Sequence, residues 1–281
     1  MPKFARTWAE VDLSALRSNL REIKKQLSES CRLGLVVKAD AYGHGLMQIA
    51  GEAISSGVEW LLVATVQEGV LLRESGIDSP ILVLAPILPM EAPQAVFYNL
   101  SIHVESEELC IALSDEAKKQ NKTVVVHLKI DTGMRRFGAQ PEKALGIAKL
   151  IQSLPHLIYE GTSTHLASAA TSFEFTEMQK QIFSKVLDEL RSAGIRTGVV
   201  HFGNSASLVK YREALNYDMV RIGVLAYGIS HVGEVGFPIK PVLTWKTRIM
   251  SLRKIHSGDV VGYQNTFRAE KDTLIATLGV G

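Results

Sequence analysis

Residues 33–45, LGLVVKADAYGHG, decide the fold because they join a buried-looking strand to a polar turn. The apolar run from Leu33 does not alternate with polar residues, which is typical of strands buried on both faces of a parallel sheet. The run ends at Lys38, and Gly43 and Gly45 follow, where glycine permits a close backbone approach to a ligand. A lysine that closes a strand usually extends into water, but this turn favours a functional position for Lys38.

Seven similar runs follow, separated by stretches with helical periodicity. They are WLLVATV (60–66), PILVLAP (80–86), SIHVE (101–105), TVVVHLKI (123–130), LIYEGTSTH (157–165), GVVHFGN (198–204) and YDMVRIGVLAYG (217–228). Eight βα steps predict an α/β fold, a (β/α)8 TIM-type barrel over residues 14–231, with Ser14 as the N-cap of its first helix. The alternative is an open doubly wound sheet, which usually carries a Gly-rich phosphate loop after its first strand, and none follows here.

The pattern changes after Ser230, where apolar and polar residues alternate as in antiparallel strands. The segment TWAEVDL (7–13) alternates in the same way and is expected to join these strands. Residues 1–13 and 232–281 therefore predict a second, mainly antiparallel β-domain. Three or so strands make a poor independent domain, so we expect this domain to be incomplete and the chain to be a fragment.

Composition excludes several classes of protein. The 281 residues are 46% hydrophobic and 21% charged, with a net charge of +2 and no basic block of the kind that binds nucleic acid. No apolar run approaches the roughly 18 residues that would suggest a membrane span, and the first ten residues show no apolar core of a secretion signal. Two distant cysteines, Cys31 and Cys110, fit a reduced cytoplasmic protein, and no metal site is expected.

Polar residues gather where the predicted strands end, which is where barrels of this type carry function. They are Lys38, Tyr42, Lys129, Asp131, Arg135, Arg136, His165, Asn204, Ser205 and Arg221, with Gly223 close behind. His165 alone would be read as a hydrogen-bonded core residue, and His44 is given no role. Arg221 lies among apolar strand residues and needs a partner or a ligand. A lysine, a histidine and an arginine from different strands thus predict one active site.

Seven motifs carry a resemblance to a known family. They are TWAEVDLSAL (7–16), VVKADAYGHG (36–45), HLKIDTGMRRFG (127–138), EGTSTHLASA (160–169), HFGNSAS (201–207), MVRIGVLAYG (219–228) and VGYQNT (261–266). In this order they resemble the bacterial alanine racemases over essentially the whole chain. The resemblance implies a barrel that binds pyridoxal 5'-phosphate (PLP), a following β-domain, and a head-to-tail homodimer for the complete protein.

The resemblance also implies roles for the cofactor-binding residues. Lys38 would form the Schiff base with PLP, and His165 would lie beside the cofactor ring. Arg221 would face the pyridine nitrogen and, because arginine keeps its proton, would leave that nitrogen unprotonated and the cofactor a weaker electron sink. The remaining cofactor-binding residues would hold the phosphate: Tyr42, Asn204, Ser205, Gly223 and Val224.

The catalytic and substrate-binding roles follow from the same resemblance. Lys38 and Tyr263 would act as bases on opposite faces of the substrate, with Tyr263 reaching the partner's site and connected through His165 to Arg221. Arg136 would direct the substrate carboxylate. Lys129 matches a lysine that is carbamylated in many members, and such a carbamate would orient Arg136. Gln264 stands where the family usually has glycine.

The sequence therefore predicts a racemase that interconverts L-alanine and D-alanine for peptidoglycan synthesis, with activity reduced in a fragment. A PLP-binding barrel without catalysis is the alternative from another class, although residues 232–281 argue for the racemase. A basic amino-acid decarboxylase would need a carboxylate where Arg221 stands. A broader-specificity or serine racemase stays open.

Overall fold

Eight parallel strands form one sheet in the computed structural model, which describes residues 4–212 and 217–280. The strand order is β8-β7-β6-β5-β4-β3-β2-β9. The strands are β2 (Arg32–Val36), β3 (Trp60–Val63), β4 (Ile81–Val83), β5 (Ser101–Val104), β6 (Val124–Lys129), β7 (Leu157–Ser163), β8 (Val199–His201) and β9 (Met219–Ile222). Seven lie within their predicted segments and β2 begins one residue before its own, so the predicted fold class is confirmed.

Helices follow the strands, as expected for a barrel in which parallel neighbours need crossovers. They are α1 (Leu13–Lys24), α2 (Lys38–Gly43), α3 (Leu46–Ser55), α4 (Val66–Glu74), α5 (Ala92–Phe97), α6 (Glu107–Lys119), α7 (Ala144–Ser153), α8 (Phe173–Ser192) and α9 (Ser205–Lys210). Short 3-10 turns cover Pro89–Glu91, Pro141–Lys143 and Tyr263–Asn265. The prediction of Ser14 as an N-cap is wrong, because α1 begins at Leu13. Among the described residues, no helix is both long and apolar enough to cross a membrane.

The barrel is nearly closed between the two strands at the ends of this order, β8 and β9. The amide of Arg221 donates to the carbonyl of Gly203 (3.0 Å), and the amide of Val200 donates to a carboxylate oxygen of Asp218 (2.7 Å). An apolar cluster in the core holds Val36, Trp60, Leu62, Leu82, Val199 and Met219. These buried side chains stabilise the barrel through the hydrophobic effect and leave the polar side chains at its C-terminal end.

The chain divides into two compact units, residues 13–242 and residues 1–12 with 243–281. In the second unit β1 (Thr7–Val11) pairs antiparallel with β10 (Leu243–Thr247). The other antiparallel pairs are β11 (Ile249–Ile255) with β14 (Thr273–Leu278), and β12 (Val260–Val261) with β13 (Phe267–Arg268). The alternating sequence thus forms antiparallel pairs that join the N-terminal strand to the C-terminal segment.

Candidate active site

A cavity of about 500 Å3 lies at the carboxyl ends of the barrel strands. The ten barrel residues to which the resemblance gave roles line it: Lys38, Tyr42, Lys129, Arg136, His165, Asn204, Ser205, Arg221, Gly223 and Val224. Asp131 and Arg135, also predicted near the strand ends, are not part of its lining but line a smaller neighbouring pocket. Sequence reasoning missed His103 and Phe137, which line it as well. The structure thus brings these side chains to one place, while their individual roles stay predictions.

The backbone directly after β2 forms a left-handed helical turn. Four consecutive non-glycine residues, Ala39 to Tyr42, have φ between 52° and 55° and ψ between 38° and 55°. L-residues avoid this region because Cβ approaches the following carbonyl oxygen, at a cost of roughly 1–2 kcal/mol per residue. Such strain persists only where the surrounding structure holds it, and it is common at functional sites. The turn places Lys38 and Tyr42 at its two ends.

Three side chains hold this left-handed turn in place. The ring Nδ1 of His44 lies 3.0 Å from the carbonyl oxygens of both Ala41 and Tyr42, so it carries a proton and donates to them. Glu68 accepts a hydrogen bond from the amide of Ala39 (2.6 Å), and Asp40 accepts one from the amide of Leu46 (2.7 Å). His44, to which sequence reasoning gave no role, is therefore a structural residue of the site.

Arg221 lies on β9 with 5% of its surface exposed. Its Nη1 donates to the Nδ1 of His201 (2.8 Å), and its Nη2 donates to the Nδ1 of His165 (3.0 Å). The same two nitrogens donate to the carbonyl oxygens of His201 (2.9 Å) and Thr164 (2.8 Å). The Nε–H has no hydrogen-bond partner among the described residues, so it is the donor that the side chain has left for the cavity.

Ser205 and Gly223 meet at another part of the cavity wall. The Ser205 Oγ accepts the amide of Gly223 (3.1 Å) and, more weakly, that of Leu225 (3.5 Å). Because the hydroxyl oxygen accepts these bonds, its own proton remains to be donated. A Cβ on Gly223 would lie 3.0 Å from the Tyr42 Oη, so glycine here lets that hydroxyl approach the backbone.

Tyr263 belongs to the second unit, not to the barrel. It begins the 3-10 turn Tyr263–Asn265, and 97% of its surface is exposed. The next residue, Gln264, has φ 63°, in the left-handed region that glycine adopts without strain. This backbone angle explains the glycine that is usual there in the family that the sequence resembles.

Family models match both parts of the chain: the alanine racemase N-terminal domain over residues 11–231 and the alanine racemase C-terminal domain over residues 242–281. The chain is 41% identical over 278 residues to an alanine racemase of Symbiobacterium thermophilum, covering 98% of this chain and 73% of that protein. It is 40% identical to one of Treponema denticola, with 98% and 74% covered.

The chain belongs to the alanine racemase family.

Solved structures agree with this membership. An alanine racemase of Clostridium difficile superposes with a TM-score of 0.91 at 33% identity, over 99% of this chain and 73% of that one. A histidine racemase from Leuconostoc mesenteroides superposes with a TM-score of 0.88 at 26% identity, over 99% and 75%. This fold thus accommodates racemases named for different amino acids.

Burial lowers the pKa of several basic groups in this racemase-family barrel. Burial, and then the charge of Arg221, hold the pKa of Lys129 well below its usual value. The same two causes lower the pKa of His165 and of His201 well below 6.5. Arg221 itself remains a cation at pH 7, because burial lowers its pKa only to about 10.

We expect Ala39→Gly to stabilise the protein by about 1 kcal/mol, because glycine adopts the left-handed backbone of the turn without the Cβ penalty. Ala193→Gly is the matched control, since Ala193 is exposed and has φ −83°; here glycine only adds entropy to the unfolded chain and should destabilise. Urea midpoints of both variants test this. Equal signs for the two variants would contradict the strain at Ala39.

We expect stability to fall as the pH drops below about 6.5, the usual histidine pKa. Burial lowers the folded pKa of four barrel histidines: His103, His127, His165 and His201. Below pH 6.5 the unfolded chain binds protons that the folded chain does not, which removes up to about 1.4 kcal/mol per pH unit for each histidine.

Urea denaturation between about pH 7.5 and about pH 5.5 measures this slope above the range in which unperturbed carboxylates titrate. A free energy of unfolding that stays constant over this range would show that these four histidines bind protons equally in the folded and unfolded states.

Proposed function

We propose that this chain is a PLP-dependent racemase that interconverts L-alanine and D-alanine, the D-enantiomer serving peptidoglycan synthesis. The observation that carries the proposal is the convergence of Lys38, His165 and Arg221 on one cavity, in a member of the alanine racemase family. We place the reaction in the cytoplasm, where the free, buried Cys31 and Cys110 stay reduced.

The residues of the proposed PLP-binding domain, 14–231, fit this cofactor. The Ser205 hydroxyl has a proton to donate, and the Tyr42 hydroxyl lies beside backbone that only glycine leaves open at position 223. Hydroxyls and backbone amides suit a phosphate, and Asn204 and Val224 line the same wall. Lys38, at the other end of the left-handed turn, supplies the amine that would hold the aldehyde carbon.

Arg221 would face the pyridine nitrogen of PLP through its remaining donor, the Nε–H. Its Nη1 and Nη2 already donate to His201 and His165. PLP when bound draws electron density from the substrate Cα, and it draws less where a permanent cation rather than a carboxylate faces its ring nitrogen. Arg221 therefore favours return of a proton to Cα over further reaction.

Racemisation needs one base on each face of the Cα centre. We assign one face to the Lys38 Nζ and the other to the hydroxyl of Tyr263, supplied by a second copy of the chain. The exposed side chain of Tyr263 supports this assignment, since it is available to another copy. Arg221 donates to the Nδ1 of His165, so the proton of His165 is on Nε2 and is available to the tyrosine oxygen.

Arg136 and Lys129 complete the proposed substrate site. Arg136 is exposed at the cavity, and its guanidinium carbon lies 4.7 Å from the centre of the Phe137 ring. Lys129 faces the same ring at 6.0 Å, and burial and the charge of Arg221 lower its pKa, which favours the neutral amine. A neutral amine can add carbon dioxide and release a proton, so a carbamate on Lys129 would supply the negative charge that orients Arg136 toward a substrate carboxylate.

A chiral assay of the protein with PLP tests the proposed function on alanine, serine and histidine separately. We expect racemisation of alanine above the other two, and a loss on the order of a thousandfold in Lys38→Ala, which lacks both the cofactor amine and one base. Lys118→Ala changes an exposed lysine of α6 and should retain activity. PLP binding without turnover of any of the three would favour the non-catalytic barrel, and preferred turnover of serine the broader racemase.

Isotope effects test the two-base assignment. We expect Tyr263→Phe to raise the primary deuterium effect with α-deuterated L-alanine, because removal of the deuteron on the face that has lost its base then limits the rate. The effect with α-deuterated D-alanine should fall toward unity, since Lys38 still removes that deuteron and the slow step becomes protonation on the tyrosine face. His165→Phe should show the same asymmetry more weakly. Tyr98→Phe, which loses only a bond to Glu74, is the control, and equal changes in both directions would rule out separate bases.

A further inference from the structure

A chain of hydrogen bonds leads from Arg221 away from the cavity and through the barrel core. The His201 Nδ1 accepts from Arg221 at 2.8 Å, and its Nε2 lies 3.0 Å from the Nδ1 of His127. The Nε2 of His127 lies 3.4 Å from a carboxylate oxygen of Glu160. Both histidines are completely buried, whereas the Glu160 side chain is 36% exposed. The chain therefore connects the buried cation to a carboxylate that reaches water.

Donor chemistry fixes the direction of every bond in this chain. A guanidinium only donates, so the Nδ1 of His201 must accept and its proton must be on Nε2. That Nε2–H then donates to the Nδ1 of His127, which in turn places the proton of His127 on Nε2, facing Glu160. Arg221 does not give up its proton at neutral pH, so the chain is a fixed set of donors and not a path for proton transfer.

An irregularity in the pairing of β6 with β7 allows the contact between His127 and Glu160. The pairing of β6 with β7 shifts by one residue between Val126 and His127, which are opposite Tyr159 and Gly161, so Glu160 is the extra residue of a bulge. Bulges redirect a side chain. A Cβ on Gly161 would clash with the Nδ1 of His127, so only glycine at position 161 leaves room for the histidine ring.

The hydrogen-bond chain connects a buried positive charge to a negative one. Among the described residues Arg221 forms no ion pair, although a buried cation normally needs a nearby negative charge. The carboxylate of Glu160 is the one negative group at the end of its hydrogen-bond chain, and each intervening imidazole is polarised in the same sense. Successive polarised hydrogen bonds strengthen one another in a low-dielectric interior.

We propose that Glu160 and His127 are positioning residues of the racemase: Glu160 is the terminal acceptor that orders His127 and His201 and thereby holds the Arg221 guanidinium with its Nε–H toward the cavity. The effect on catalysis rests on the proposed function. The proton positions on the two histidines follow from the hydrogen-bond chain and do not depend on that function. Removing the acceptor leaves a buried N–H unpaired and loosens the guanidinium from its partners.

Nitrogen NMR of histidine-labelled protein reads the proton positions directly, without reference to activity. We expect His127, His201 and His165 each to show a protonated Nε2 and an accepting Nδ1, with His127→Phe assigning the signals. Glu160→Leu should shift the ring-nitrogen signals of both His127 and His201. Glu160→Gln keeps an acceptor oxygen in the same place and should retain the wild-type pattern.

Kinetics of the PLP-loaded enzyme supply the second readout. Glu160→Leu should lower kcat for alanine on the order of tenfold, with KM changed by less than about twofold, while Glu160→Gln stays within about twofold of wild type. Tyr159→Phe is the matched control on the same strand, since it removes a hydrogen bond to Thr162 that lies outside the chain. The pair Glu160→Leu and His127→Phe should be no slower than His127→Phe alone, because members of one network are not additive.

Unchanged His201 signals in Glu160→Leu, a Glu160→Gln variant as impaired as Glu160→Leu, or additive kcat losses in the double variant would each overturn the inference. Failure of the proposed function gives a different result. If wild-type protein with PLP does not racemise alanine, the NMR comparison of Glu160→Leu with Glu160→Gln still applies. That comparison alone would then decide whether Glu160 fixes the proton positions of His127 and His201.

Discussion

Arg221 places a guanidinium inside the barrel, and the arrangement around the cavity depends on satisfying its donors there. An unpaired donor in the interior would cost roughly 1–3 kcal/mol, so the ends of the two neighbouring strands β7 and β8 contribute acceptors. Two are backbone carbonyls, of Thr164 and His201, and two are imidazole nitrogens. Because arginine cannot accept, each imidazole has only one possible proton position. Arg221 thus fixes the proton positions of His165 and His201.

Burial, and after it nearby positive charge, lowers the pKa of the basic groups around Arg221. Lys129 is buried within its field, so the ammonium form is unfavourable and the pKa falls. His103, which donates through Nδ1 to the Leu84 carbonyl and accepts from Ser163, lies parallel to His201 at 5.8 Å and is neutral for the same reasons of burial and nearby positive charge. A permanent cation surrounded by neutral bases can present donors and acceptors in fixed directions without competing positive charges.

The fold could be predicted because its signal is local. Each barrel strand is a short apolar run, and the apolar residues of α8 recur at helical spacing, so these elements are legible without any knowledge of their neighbours. The strand-end rule then placed Lys38, His165 and Arg221 together. The roles of His127 and His201 were not predictable in this way, since an imidazole in a strand gives no sign of its partner. Their hydrogen bonds exist only because side chains of four strands, β6 to β9, meet in the barrel, and the bulge at Glu160 leaves no clear mark in the sequence.

The left-handed turn is a second feature that the sequence did not predict, and it balances backbone strain against conformational entropy. Gly43 and Gly45 drew attention to the segment, yet the strained residues are Ala39 to Tyr42, which carry side chains. A glycine-rich turn would avoid the Cβ penalty but would be freer in the unfolded chain, and ordering each glycine would cost roughly 0.5–1 kcal/mol more than ordering alanine. Side chains restrict the alternatives, and His44, Glu68 and Asp40 fix the one that remains. The strain is therefore overcome during folding, and the backbone positions of Lys38 and Tyr42 are set before any ligand enters.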